Sequence, residues 1–402
     1  MISVQSFNTA VMFVALLLLS AAASRAQEPG SRAEQQAREQ EEKSRSLSAY
    51  KPGFFERQIL SIEESGGFGV ARGVFVTFGD IKRGSGFALG PAYGKAFASG
   101  AVFQAKAVYS VAQYKLAQVS LRSAPLADGR LRLAGRLRWQ DAPTVRFYGL
   151  GPTSPNTRAN YAETMSEASG AASYRPVRLL RFDAGIGIEQ FDTGAASDAD
   201  PSRDRIFDGV PGFGADPRYL HAYGSAAIDS RDGDGYSRRG SLLQATFHDY
   251  RQQNDGPFSF RRVDGVAEQY VPVLEGNWVF YAGLRASVTS PDSGGTVPFF
   301  LMPDLGGGGD LRGFSTYRFR DRHSLLFTAE YRWYAQEYLD AAIFYDAGKT
   351  VPDRSALNFR QLQSSYGAGI RLHGPRFTAL RFEVARSREG VRLIVAFSPV
   401  GG

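Results

Sequence analysis

Ser324-Leu325-Leu326-Phe327-Thr328-Ala329-Glu330-Tyr331-Arg332-Trp333-Tyr334 alternates residue by residue between two kinds of side chain. Leu325, Phe327, Ala329, Tyr331 and Trp333 share one parity; Leu326, Thr328, Glu330, Arg332 and Tyr334 share the other. Successive side chains of a β-strand point to opposite faces, so the first set makes one apolar face and the second a mixed, polar one. The next segment repeats the pattern: Leu339, Ala341, Ile343 and Tyr345 against Asp340, Ala342, Phe344 and Asp346. Glu330 and Asp346 therefore lie on the same polar face. An apolar face backed by acids suits a membrane barrel, with lipid outside and a polar lumen inside.

Outward from this pair, alternating segments of about ten residues run along most of the chain. The first is Gly69-Val70-Ala71-Arg72-Gly73-Val74-Phe75-Val76, and others lie near 84–97, 101–111, 113–123, 131–140 and 162–174. They continue at 178–191, 217–230, 238–251, 260–273 and 277–290, then at 323–335, 338–347, 364–373, 378–388 and 391–398. The expected fold is an all-β, transmembrane antiparallel β-barrel of about sixteen strands, an even number as in bacterial barrels. If the first strand runs outward, connections 141–161, 192–216, 291–322 and 349–363 all fall on one side. Connections 175–177, 274–276, 336–337 and 374–377 on the other side are short. Outer-membrane barrels have this asymmetry, and a soluble sandwich has no reason for it.

Composition agrees. The 402 residues include 29 Phe, 19 Tyr and no Cys, with a net charge of +7 and mean hydropathy of −0.26. Past the first thirty residues no apolar run approaches the ~20 residues that a membrane helix needs. A chain without cysteine crosses an oxidising compartment with no risk of wrong disulfides. Much of the positive charge is arginine at alternating positions, which fits a barrel interior better than a nucleic-acid patch, so no nucleic acid is expected as a partner.

Residues 1–26 read as a secretory signal: Ala10 to Ala23 is apolar and short for a span, and Ser24-Arg25-Ala26 resembles a small-x-small cleavage site. The segment before it carries no Lys or Arg, and an uncleaved anchor is the alternative. Residues 27–60 form a polar tail, disordered or loosely helical, and 61–402 the barrel.

Gly306-Gly307-Gly308-Gly309-Asp310-Leu311-Arg312-Gly313-Phe314 sits in the longest connection. A phosphate-loop reading of its glycines lacks the preceding strand, the following helix and the Lys-Ser/Thr. Leu311-Arg312-Gly313-Phe314 resembles the Arg-Gly-Phe/Tyr signature of BamA/TamA-type outer-membrane barrels. Other stretches are similar to motifs of the same superfamily. They are Arg146-Phe147-Tyr148-Gly149-Leu150-Gly151-Pro152 with Asn160-Tyr161, Asp229-Ser230-Arg231-Asp232 with Arg239-Gly240, and Tyr366-Gly367-Ala368-Gly369-Ile370-Arg371. Val391 to Phe397 resembles a signal for the barrel-assembly machinery, which is thereby implied as a partner in biogenesis; Ser398 to Gly402 depart from it. The resemblance spans about residues 60–398. It implies that the glycine-rich loop folds back into the barrel, where its arginine meets acids just downstream.

That makes Arg312, Gly313, Phe314, Glu330 and Asp346 the candidate loop-locking residues. Arg332, Arg371, Arg381 and Glu383 fall on the polar faces and are the candidate lumen network. BamA, TamA and the two-partner secretion transporters carry folded POTRA modules before the barrel. The roughly 35 residues between signal and first strand are too few for one, so a short member without them is expected.

Candidate chemistry is weak. Asp229, Asp232 and Asp234 around Gly233 and Gly235 lack the twelfth-position Glu and flanking helices of an EF-hand. His323 and Ser324 are neighbours on a strand and point apart, so they make a poor base and nucleophile. No enzyme, cofactor or metal is expected. The resemblance implies a protein of the bacterial outer membrane, in contact with its lipid, that inserts, translocates or scaffolds a protein or lipid. Its protein client or periplasmic partner stays unnamed. A passive or substrate-specific channel and a surface-exposed antigen or adhesin are the alternatives.

Overall fold

The computed structural model describes residues 72–397, apart from 80, 200–204, 234, 275–276, 337 and 375–377. All of these belong to one compact unit, Phe54–Gly402. The expected signal and tail, Gly69–Ala71, Asp234 and the final Ser398–Gly402 lie outside the described residues.

Eighteen strands occur among the described residues. The first seven are β1 (Gly73–Gly79), β2 (Ala88–Ala96), β3 (Val102–Ser110), β4 (Lys115–Arg122), β5 (Leu131–Phe147), β6 (Ala159–Val177) and β7 (Leu180–Ala195). The middle ones are β8 (Arg218–Asp229), β9 (Gly240–Gln252), β10 (Phe260–Val273) and β11 (Trp278–Pro291). β12 (Asp304–Leu305) and β13 (Phe319–Arg320) pair with each other inside the longest connection. The last five are β14 (His323–Gln336), β15 (Leu339–Val351), β16 (Gln363–His373), β17 (Thr378–Ser387) and β18 (Gly390–Phe397). Apart from β12 and β13, sixteen strands form one sheet in strict chain order, every neighbour antiparallel. Among the described residues no ladder joins β1 to β18, the two ends of that order.

Laid flat, sixteen strands would span roughly 70 Å. They cannot lie flat. Arg83, between β1 and β2, bonds to Asp310 at 2.8 Å, and Arg392 on β18 bonds to Ser315 at 3.0 Å. Asp310 and Ser315 are at most about 18 Å apart along the chain. The sheet therefore curls until both ends face one loop, which is the geometry of a barrel.

Alternation decides what faces where. Val74, Leu137, Ile186, Ile188, Ile343 and Leu393 point outward and are more than half exposed, a lipid-facing pattern. Thr328, Ala342, Phe344 and Asp346 point inward and are buried. On the outer wall Trp278 stacks with Tyr331 and Trp333 at ring centroid distances of 4.9 and 5.6 Å. All three lie at one end of β11 and β14, as interface aromatics do.

The connections fall into a loop end and a turn end, as the length asymmetry implies. Several boundaries differ from the sequence reading. β5 runs on to Phe147 and β6 begins at Ala159, so the 141–161 connection shrinks to 148–158. A break in register between Ala142 and Val145 interrupts the period there and hides the continuation. β15 extends to Val351, and residues 84–87 precede β2 rather than belong to it.

At the loop end the lumen is filled with rings. Phe147, Tyr161, Phe207 and Phe299 pack at centroid distances of 4.7 to 6.3 Å, all buried. Burying aromatics there removes a large apolar area from water and seals that mouth.

Candidate functional site

β14 and β15 carry the acids inward, and their register sets Thr328 opposite Asp346 and Glu330 opposite Phe344. β16 and β17 set Arg371 opposite Arg381 and Gly369 opposite Glu383. Between these strands the loop from β11 to β14 descends into the lumen.

Arg312 is its centre and is 3% exposed. Its Nε and one Nη donate to the two oxygens of Asp346 at 2.9 and 2.7 Å, a forked pair. The other Nη donates to Glu330 at 2.7 Å and to Glu383 at 3.4 Å. The guanidinium also lies 3.5 Å from the centroid of the Phe344 ring. Glu330 and Asp346 therefore bind one arginine from two adjacent strands.

Glycines make the room. A Cβ on Gly367 would fall 2.5 Å from Phe344 Cζ, and one on Gly369 would fall 2.6 Å from Glu383 Cγ. The Gly-x-Gly of β16 thus clears the wall for the ring under Arg312 and for the acid beside it. Gly313 serves the loop likewise: a Cβ there would lie 2.6 Å from that of Ser365 and 2.8 Å from that of Ser387. Its carbonyl accepts from Ser387 Oγ at 2.8 Å. Gly306 and Gly307 adopt φ of +117° and +109°, which an L side chain rarely does. Phe314 is fully buried against Leu311, Phe319, Leu305 and Leu326.

The rest of the network closes around Glu330 and Glu383. Arg371 donates to both oxygens of Glu330, at 2.9 and 2.8 Å, and to Glu383 at 3.0 Å. Arg332 donates to Glu330 at 2.8 Å. Arg381 donates to the Gly308 carbonyl at 3.1 Å and sits 3.7 Å from Glu383. Arg312, Glu330, Asp346, Arg332, Arg371, Arg381 and Glu383 meet in this one cluster, whereas Gly313 packs on Ser365 and Ser387 and Phe314 joins a separate apolar group.

Several anchors were not legible from the sequence. Asp310 pairs with Arg285 at 3.1 Å as well as with Arg83. Arg318 donates to Ser154 Oγ at 2.9 Å and to Glu389 at 2.7 Å. Arg320 donates to the Tyr161 hydroxyl at 3.2 Å. Lys82, ahead of β2, is held against Glu163; burial lowers its pKa below the ordinary lysine value, and the carboxylate offsets part of this. A second polar line crosses four strands: Glu189 to His221 at 2.7 Å, His221 to His248 at 3.1 Å, and His248 to Asp264 at 3.2 Å. Each histidine stands alone in its own segment, so only the register reveals the line.

The other sequence candidates are otherwise engaged. Asp229 takes a forked pair from Arg231 at 3.0 and 2.9 Å, and Asp232 accepts the Arg238 N–H at 2.9 Å. His323 Nδ1 accepts the Thr289 N–H at 3.3 Å.

A family model described as the Omp85 superfamily domain matches residues 107–391. Among solved structures, BamA from Haemophilus ducreyi lacking POTRA domains 1–3 is similar in fold, with a TM-score of 0.58 at 14% identity. That match covers 84% of this chain and 75% of the other. CdiB from Escherichia coli gives 0.53 at 10% identity, covering 81% of this chain and 60% of the other. No individual curated protein matches the chain in sequence.

Proposed function

The chain belongs to the Omp85 superfamily, and we propose from this that it works in the bacterial outer membrane, inserting or moving a protein or lipid substrate. On this reading residues 1–26 direct export, residues 27–60 form a periplasmic tail, the loop end faces the exterior and the turn end faces the periplasm. No reaction is assigned to it.

The observation that carries the reading is the lock: Arg312 held by Asp346, Glu330 and Glu383 inside the lumen. A loop crosses the lumen and aromatic rings pack at one mouth, so the resting barrel is constricted. Such a barrel fits a machine that opens during a cycle. β1 and β18 are the two ends of the strand order, and a client strand would pair along the line where they meet.

Proteoliposomes provide the test. The protein should speed the folding of an urea-unfolded outer-membrane barrel, or the passage of an unfolded polypeptide, relative to empty liposomes. A disulfide engineered between β1 and β18 should abolish the gain; the chain has no native cysteine to interfere. No acceleration of either process, together with steady conductance of small ions, would favour the channel reading.

A further inference from the structure

Below the loop lie two adjoining cavities of about 150 and 200 Å³. Both are lined by Tyr270, Arg332, Arg371 and Arg381. The larger lies toward the turn end, where Tyr236 and Ser237 of the connection between β8 and β9 line it. Tyr236 is fixed there: its ring stacks on His373 at 3.9 Å and its hydroxyl donates to Asp340. Arg332 donates to the Ser237 carbonyl at 3.4 Å.

The lining of the larger cavity is one-sided in charge: among the described residues it holds three guanidinium groups, Arg332, Arg371 and Arg381, and no carboxylate. The network holds four guanidinium groups, Arg312, Arg332, Arg371 and Arg381, against three carboxylates, Glu330, Asp346 and Glu383. Arg83 and Arg285 do not enter the count, being matched by Asp304 and Asp310. Two further acids stand behind the lining: Asp340, which accepts from the Tyr236 hydroxyl, and Glu268, which accepts from Tyr270 and Tyr281 and pairs with Arg231. Arg371 is 5% exposed, and its Nε has no hydrogen-bond partner. Glu383 Oε2 is also unpartnered, but Glu383 does not line either cavity. Three guanidinium groups around one space repel one another unless an anion lies among them.

We propose that this chamber is a binding site for a phosphate-class oxyanion. Guanidinium groups of Arg332, Arg371 and Arg381 reach it from three strands, β14, β16 and β17. Donors arriving from several directions suit the separate oxygens of a tetrahedral anion better than the single fork that a carboxylate uses. A space of about 200 Å³ admits one such group together with water, whose share of the liquid is roughly 30 Å³. Free phosphate and the phosphomonoester of a lipid headgroup offer the same chemistry.

The test is calorimetric titration of the full barrel, purified in detergent without phosphate, at constant chloride. Inorganic phosphate should bind at one saturable site and raise the melting temperature. Arg381→Gln and Arg332→Gln should each weaken binding by about tenfold or more, and Arg381→Lys, which keeps charge but loses the fork, should weaken it less. Heat-modifiable migration checks that each variant is folded. A short-chain phosphatidic acid that binds more tightly than phosphate identifies the lipid headgroup as the source, and equal or weaker binding identifies the free ion. No saturable binding of either probe, or unchanged affinity in both folded glutamine variants, would overturn the proposal.

Discussion

Arg312 and Asp346 form a two-pronged pair, Nε and Nη each on a separate carboxylate oxygen at 2.9 and 2.7 Å, with Asp346 fully buried. The two residues are brought together only because a loop from one end of the barrel descends to the wall of β15. The pair therefore reports on the loop's position, and removing either partner tests it.

Arg312→Ala leaves Glu330, Asp346 and Glu383 facing one another with one cation fewer. Breaking a buried pair of this kind costs about 3–5 kcal/mol. Expected outcomes are a lower melting temperature and protease cleavage within residues 306–320, which the wild type resists. Arg312→Lys should rescue only in part, since an ammonium cannot fork across a carboxylate.

Asp346→Ala should give a similar but smaller defect, because Arg312 keeps Glu330 and Glu383. The double variant should be less damaged than the summed singles, by about 1–3 kcal/mol of coupling. Strict additivity, measured by denaturant unfolding, would place the two side chains out of contact.

Gly369→Ala introduces a methyl within 2.6 Å of Glu383 Cγ and 2.4 Å of the Phe382 carbonyl oxygen. Overpacking of this kind costs about 1–3 kcal/mol. The variant should lose thermal stability and expose the loop to protease. Gly265→Ala, where a Cβ meets nothing within 4 Å, serves as the control and should behave like the wild type.

The strand register is open to a direct check. Trp333 is 48% exposed and Ile343 59%, both facing outward, while Thr328 and Ala342 are 8% and 5% exposed and face the lumen. Spin labels at positions 333 and 343 should be quenched by lipid-soluble relaxation agents, and labels at 328 and 342 should not. The reverse pattern would mean a one-residue slip, since parity alone decides the face.

How much of this was legible follows from the same parity rule. A strand between lipid and a polar lumen must alternate, so the membrane-spanning parts of all sixteen sheet strands show in the sequence. Beyond the membrane the outward face has no need to be apolar. Asp141 to Arg146 therefore reads as loop although β5 continues through it, with Ala142, Val145 and Phe147 fully buried. The acids that meet Arg312 were legible because they share a parity on neighbouring strands. Glu383 and Arg371 needed the register of β16 and β17 to join them. The stacking of Arg312 on Phe344 was hidden because it depends on an absent side chain, at Gly367.

If the Arg312 lock keeps the lumen closed, conductance across a planar bilayer reports it. Wild-type protein should stay almost silent, while folded Arg312→Ala protein should show frequent, long openings. Equal conductance in the two, whether both silent or both open, would contradict it.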